Sequence, residues 1–292
     1  MSPANAKLIE PINAPFEQVM KDIIGVPLVE TPNPLLVVDK SLAHLTGKMW
    51  CSDNVRFMNE KIPANSISCI VTSPPYNLKN STGNGMKAGT KTGKWANNPL
   101  QNGYDGHSDD MPHDKYVAWQ RDCLTAMMRV LKNDGVIFYN HKWRVQNGLI
   151  QDRHDIVEGF PVRQIIIWKR AGGINFNAGY FLPTYEVIYM ICKPDFKLVE
   201  GANRMTDIWE IPQVKGNEHP APFPVELASK CIEASPCGVI LDPFMGSGTT
   251  AISAISHNRE WIGIELSKEY CTLANTKISQ YNKKPRTKTN CL

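Results

Sequence analysis

No apolar run in the sequence approaches the roughly twenty residues that a membrane-crossing helix needs, so insertion by such a helix is not expected. The start, Met1-Ser-Pro-Ala-Asn-Ala, has no basic stretch followed by an apolar one, and the expected location is the cytoplasm. The eight cysteines, at 51, 69, 123, 192, 231, 237, 271 and 291, include no Cys-x-x-Cys pair. They suggest neither a metal site nor a disulfide framework, and they read as reduced, mostly buried thiols. No internal repeat is present. Charge of one sign is also scarce, with a formal net charge of only +4 from 32 basic and 28 acidic residues. That small excess is nevertheless unevenly spread. Lys79, Lys87, Lys91 and Lys94 lie in a stretch without an acid, as do Lys283, Lys284, Arg286 and Lys288; without these eight the rest is net acidic. One basic loop and one basic tail favour contact with a polyanion over a uniformly basic core, the plain alternative being two solvated segments.

At 292 residues and 42% apolar composition the chain can bury one large core, and the length favours one domain with insertions. After an extension over residues 1–45, short apolar strands are expected at Ile67–Val71, Val136–Tyr139, Ile165–Trp168, Val187–Ile191, Val239–Leu241 and Trp261–Ile264. Helices are expected at Tyr116–Leu131, with Val117, Leu124, Met128 and Leu131 on one face, and at Val225–Ala234, opened by Pro224 at a first-turn position. Two more are expected at Thr249–Ile255 and at Tyr270–Ile278 with Ser267 as cap. This alternation implies an α/β fold with a largely parallel sheet.

Two stretches carry chemistry. In Asp242-Pro-Phe-Met-Gly-Ser-Gly-Thr-Thr250 an acidic residue and a glycine-rich turn follow the apolar run Val239-Ile-Leu241. Gly246 and Gly248 let a backbone approach a ligand that a Cβ would exclude, as in a nucleoside-binding strand–turn–helix unit. No Gly-Lys-Ser/Thr follows, which excludes a triphosphate-binding loop, whereas Gly246-x-Gly248-x-x-Ala251 with Glu265 downstream also fits a dinucleotide fingerprint. The second stretch, Ile70-Val-Thr-Ser-Pro-Pro-Tyr-Asn77, ends a strand at two prolines that have no N–H to give. Ser73 and Pro74, each preceding a proline, are held extended. The Ser73 hydroxyl, the Pro74 carbonyl and the Tyr76 ring together can hold a planar amine by its N–H groups and its π-face.

At these residues the chain resembles the S-adenosylmethionine-dependent amino-group DNA methyltransferases. Thr72-Ser-Pro-Pro-Tyr76 is similar to the family's catalytic loop and Asp242-Pro-Phe-Met-Gly-Ser-Gly-Thr to its cofactor loop. The order of the two resembles the circularly permuted β subclass, and Thr184-Tyr-Glu-Val-Ile188 and His219-Pro-Ala-Pro-Phe-Pro224 fit the same template. The resemblance covers roughly residues 48–281 and implies a Rossmann-like fold, mostly parallel with one antiparallel strand. It implies a catalytic domain over 46–281, ending in a basic tail at 282–292. By the same resemblance Ser73, Pro74, Pro75 and Tyr76 form the catalytic loop. Asp242, Pro243, Phe244, Gly246, Ser247, Gly248, Thr249 and Glu265 are expected at the cofactor S-adenosyl-L-methionine, Asp242 toward its ammonium and Glu265 toward its ribose. Asp53 matches the family's acidic position, with an ordinary turn aspartate as the alternative.

Double-stranded DNA with a flipped target base is the implied partner; a homodimer and a cognate restriction endonuclease are compatible with it. Leu78–His113, dense in Gly, Asn and Lys, is expected to contact DNA through Lys79, Lys87, Lys91, Lys94 and Trp95. Only about twenty residues, Lys193–Lys215, are left for a recognition insert. Ser73, where adenine enzymes usually show Asp or Asn, resembles the N4-cytosine group; N6-adenine is the alternative. A nicotinamide oxidoreductase would leave Ser-Pro-Pro-Tyr unexplained, and a DNA-binding module without activity need not retain it. Pro236-Cys237 superficially resembles the nucleophile of ring-carbon cytosine methyltransferases, but it precedes the cofactor strand and is not expected to be catalytic.

Overall fold

The computed structural model describes residues 40–77, 111–146, 148–170, 178–214 and 223–283, all within a compact unit that runs from Val38 onward. The basic loop with Lys79, Lys87, Lys91, Lys94 and Trp95, and the tail beyond Lys283, lie outside the described residues. The packed unit begins before residue 46. Leu42 and Leu45 are buried in the core, against the expectation that the extension reaches residue 45.

Ten strands are described: β1 (Lys48–Cys51), β2 (Ile67–Thr72), β3 (Leu131–His141), β4 (Arg144–Gln146), β5 (Leu149–Gln151), β6 (Val162–Lys169), β7 (Tyr185–Cys192), β8 (Ile208–Glu210), β9 (Ile240–Asp242) and β10 (Trp261–Glu265). The helices are α1 (Asn54–Lys61), α2 (His113–Val130), α3 (His154–Val157), α4 (Val225–Glu233), α5 (Thr249–Ser256) and α6 (Lys268–Asn282). Eight strands form one sheet in the order β1-β10-β9-β2-β3-β7-β6-β8, while β4 and β5 pair as a separate hairpin. Within that sheet β7 pairs antiparallel with both β3 and β6, and every other pairing is parallel. One strand therefore runs against the other seven, as the fold class requires.

The alternation of side chains across each strand sorts the core into two layers. Cys69, Val71, Val136, Phe138, Ile188 and Met190 pack under α4, α5 and α6 through Leu227, Ala228, Ala251, Ala254, Ala274 and Ile278. Ile70, Ile137, Tyr139, Val187, Tyr189 and Ile191 face α1 and α2 through Phe57, Met58, Leu124 and Met127. Both faces of the sheet are covered, which is why its central strands read as continuous apolar runs.

Helix ends follow sequence chemistry. Asp53 caps α1 by accepting from Arg56 N at 2.8 Å, and Ser267 caps α6 by accepting from Tyr270 N at 3.2 Å. Pro224 is the residue before α4 rather than part of its first turn. The face of α2 differs from the expected one. Tyr116, Gln120, Cys123 and Met127 are buried with Leu124, whereas Val117 and Met128 are only partly so and Leu131 already belongs to β3. Apolar spacing could not find this face, because two of its positions are polar residues bonded behind the catalytic loop.

Register places the candidate site. Thr72 lies opposite Tyr139, His141 opposite Val187, and Lys169 opposite Tyr185. The loops that follow β2, β3, β6 and β9 therefore leave from one edge of the sheet, the carboxyl edge of its parallel strands, where ligands of open α/β sheets bind.

Candidate active site

Asp242 joins the two chemical loops. Its Oδ1 accepts from Thr72 Oγ1 at 2.8 Å and from Phe244 N at 3.0 Å, and its Oδ2 accepts from Thr250 Oγ1 at 2.6 Å. One carboxylate thus ties the residue before Ser73 to the turn and first helical residues of the other loop. It is 0% exposed, so an ammonium group cannot simply meet it at an open surface; its charge lies beneath the turn. Burial raises its pKa to about 6, although the two threonine hydroxyls and the Phe244 N–H pull the other way.

Glu265 fastens the same turn from the next strand. Gly246 N donates to its Oε2 at 2.8 Å and Ser267 N to its Oε1 at 3.0 Å. The turn itself is left-handed at Gly246 (φ 51°) and Gly248 (φ 89°). A Cβ on Gly248 would lie 3.2 Å from Ala274 Cβ and 3.3 Å from Ile278 Cδ1. Backbone conformation and the approach of α6 thus already require glycine at 248, in addition to any ligand. Phe244 is half-buried, edge-on to Trp119 with ring centroids 5.7 Å apart. Asp53 is an exposed helix cap, which is its ordinary turn reading.

The Ser73–Asn77 loop is held by a network that sequence reasoning did not identify. Tyr76 Oη donates to Glu186 Oε2 at 3.0 Å and lies 2.6 Å from Ser73 Oγ. Asn140 Nδ2 donates to Tyr76 Oη at 2.7 Å and to Glu186 Oε2 at 2.9 Å, and reaches Ser73 Oγ at 3.3 Å. The other Glu186 oxygen accepts from Arg170 Nη1 at 2.9 Å in a buried ion pair. A carboxylate can only accept, so the Tyr76 hydrogen goes to Glu186 and the Ser73 hydrogen to Tyr76. With Asn140 Nδ2 on one lone pair, Ser73 Oγ then keeps the other for an incoming donor. None of the described residues donates to the Pro74 carbonyl, the second expected acceptor. The Tyr76 ring is only 5% exposed and tilts against His141 at 4.9 Å, so it is less open as a stacking surface than the sequence suggested.

Behind the loop, Tyr116 Oη donates to the Pro75 carbonyl and lies 2.7 Å from His141 Nε2. Gln120 Nε2 donates to Tyr116 Oη at 3.2 Å and Gln120 Oε1 accepts from Tyr139 Oη at 2.5 Å. Burial, reinforced by the nearby Arg153 guanidinium, lowers the His141 pKa to about 3. The folded state therefore refuses a proton that an unfolded histidine takes near pH 6.5. Stability from this group is present above that pH and is lost as pH falls through it toward 3. We expect the stability advantage of the parent over His141→Gln to shrink by about 2 kcal/mol between pH 7 and pH 5. Urea unfolding at the two values measures this, and an unchanged difference would contradict a buried neutral imidazole.

Cys237 is exposed and precedes the amino end of β9, at the opposite edge from Ser73. Among the described residues no group of His, Cys, Asp and Glu could hold a metal, and no helix is long and apolar enough to cross a membrane.

A family model described as DNA methylase, covering N6 and N4 enzymes, matches residues 67–276, a span that holds both loops and the sheet between them. The chain belongs to the N6/N4 DNA methylase family. Relatives of this methylase include the type II methyltransferase M.BglII of Bacillus subtilis, 25% identical over 79% of this chain and 68% of that protein. The type II methyltransferase M.HpaI of Haemophilus parainfluenzae is 26% identical over 80% of this chain and 75% of that one. Among solved structures, the fold matches that of the cytosine-N4-specific PvuII DNA methyltransferase with a TM-score of 0.60 at 18% identity, over 81% of this chain and 95% of that chain. A DNA modification methylase structure from Thermus thermophilus, with S-adenosyl-L-methionine bound, matches with a TM-score of 0.57 at 23% identity, over 80% of this chain and 93% of that chain. The cofactor of the methylase is S-adenosyl-L-methionine. Its residues suit that molecule, since a buried carboxylate beneath a left-handed turn and a partly exposed one beside it complement a cationic, hydroxylated nucleoside.

Proposed function

We propose that this DNA amino-methyltransferase modifies N4 of cytosine in a base turned out of the duplex. The observation that supports amino-group transfer is the direction of the hydrogen-bond chain from Ser73 through Tyr76 to Glu186, which leaves the serine oxygen as an acceptor, and the choice of cytosine rests on serine itself at position 73. An exocyclic amine is a poor nucleophile while its lone pair is delocalised into the ring. Hydrogen bonds from its two hydrogens to Ser73 Oγ and the Pro74 carbonyl favour a more tetrahedral nitrogen, and they strengthen as positive charge develops there. S-Adenosyl-L-methionine, when bound, supplies an electrophilic methyl group. The chain's own part is to hold the amine in line and dry, and placement of this kind accounts for much of the rate. No covalent bond between protein and base is required.

Within this reading Asp242 fixes the turn and sets a negative charge under the cofactor's ammonium, Glu265 holds Gly246 and offers its remaining lone pairs to ribose hydroxyls, and Phe244 borders the adenine. Pro243, Ser247 and Thr249 complete the same loop, and Pro75 anchors the catalytic one through Tyr116. Ser73 in place of an acidic or amide residue favours cytosine over adenine, and the fold of the cytosine-N4-specific PvuII enzyme is consistent with it. The basic loop with Lys79, Lys87, Lys91, Lys94 and Trp95 remains the proposed phosphate-contacting segment. Modification-sensitive sequencing of DNA from cells expressing the protein should show modified cytosine within one short recurring site. Modified adenine alone at that site would transfer the reading to N6 chemistry on the same scaffold.

A further inference from the structure

Phe181 is 97% exposed, the most exposed of the large apolar side chains described, and it sits at the carboxyl edge that carries the catalytic loop. An exposed phenylalanine leaves its apolar surface in water, so its surroundings decide whether it is incidental. Here the surroundings are built. The connection from β6 to β7 is closed at its neck by Arg170 N donating to Thr184 O at 2.6 Å. The guanidinium of the same Arg170 is locked on Glu186, which holds the Tyr76 hydroxyl. The segment bearing Phe181 is therefore fastened to the residue that orders the base pocket. Lys142 and Arg144, both partly buried, lie in the electrostatic neighbourhood of this Arg170–Glu186 pair, and Arg144 Nη1 donates to Asn77 O at the end of the catalytic loop. An apolar ring standing out from the edge that carries the catalytic loop of a DNA methylase suits the stacked aromatic rings of its substrate.

We propose that Phe181 is a wedge that enters the base stack of duplex DNA beside the target. It would fill the gap opened when the base turns toward Ser73, thereby lowering the free energy of the opened state. The proposal rests on the reading of this protein as an enzyme that turns its target base out of a duplex.

The test uses the full chain and duplexes carrying the site mapped in expressing cells, in two forms: fully paired, and with a mismatch opposite the target base. A mismatch weakens the stacking and pairing that must be broken, so a wedge matters less there. Phe181→Ala should lower kcat/KM on the paired duplex by about ten- to a hundredfold, the range of one lost stacking contact. On the mismatched duplex the loss should be under about threefold, because much of the opening free energy is already supplied. Phe181→Trp, which retains a stacking face, should stay close to the parent on both. Cofactor affinity and melting temperature should not move. An equal loss on both duplexes, or no loss on either, would overturn the wedge. So would a change in oligomeric state by light scattering whose correction at high protein concentration restores activity, since Phe181 would then be a contact between copies. A parent that methylates no duplex would instead remove the reading beneath the proposal.

Discussion

Glu186→Gln should lower turnover by about ten- to a hundredfold while leaving S-adenosyl-L-methionine affinity near the parent's, the loss corresponding to one charged hydrogen bond worth about 1.5–3 kcal/mol. The physical reason is directional. Glu186 Oε2 can only accept, and it thereby fixes the hydrogens of Tyr76 and Ser73. A glutamine offers an N–H to one side or the other, so the chain can reverse and Ser73 can present its hydrogen to the incoming amine. The alternative, that Glu186 merely stabilises the fold, is separable. Glu186→Ala leaves Arg170 buried and unpaired, which for a broken buried pair costs about 3–5 kcal/mol, whereas replacing both partners by methionine removes the unpaired charge and leaves only the lost acceptor of Tyr76 and Asn140. The double variant should therefore melt well above Glu186→Ala yet remain as slow as Glu186→Gln. Recovery of turnover together with stability would assign the pair to folding alone.

Asp242→Asn should impair both loops at once, because the same carboxylate bonds Thr72 and Phe244. Cofactor affinity at pH 8 should fall by about ten- to a hundredfold, and turnover at saturating cofactor should fall as well. The pH profile carries the sharper signature. With the parent's pKa raised to about 6, the carboxylate loses its charge as pH drops from 7 to 5, and affinity for a cationic cofactor should weaken over that window. The asparagine variant should be flat there. Stability runs the other way: a carboxyl whose folded pKa exceeds its unfolded value near 3.9 stabilises the fold below that value and loses the contribution as pH rises through 6. A shift of about two units corresponds to about 3 kcal/mol, so Asp242→Asn, whose amide can still meet both threonine hydroxyls, should be at least as stable as the parent at pH 8. Calorimetric titration at pH 5, 7 and 8 measures the affinity arm. A parent profile as flat as the variant's would show that the charge at 242 does not reach the cofactor.

Strand positions were legible because each central strand is covered on both faces and reads as an unbroken apolar run; the two loops were legible because glycine and proline impose their geometry locally. Less visible were the partners that reach the site through the fold. Gln120 and Tyr116 look like polar interruptions of an amphipathic helix, and only the packing of α2 on the sheet shows them bonded beneath Pro75. Glu186 offered a signal that went unused, a lone carboxylate near the start of the apolar strand Tyr185–Cys192. Asn140 and His141 offered a similar one at the end of β3, whose other late residues are apolar or aromatic. Short elements escaped as well. β1 and α1 are too brief and too mixed in composition to stand out, and they are fixed by pairing with β10 and by the Asp53 cap. At Asp242 the residue was found from sequence but its surroundings were not, since a buried carboxylate shared between two loops has no local pattern.

Mass spectrometry of nucleosides from DNA methylated in vitro by the purified protein bears most directly on the chemistry. With S-adenosyl-L-methionine and DNA containing the mapped site, N4-methylcytosine should appear in the parent reaction and be absent, or nearly so, with Tyr76→Ala. N6-methyladenine as the sole product would contradict the cytosine assignment, and 5-methylcytosine would contradict amino-group transfer itself and return attention to Cys237.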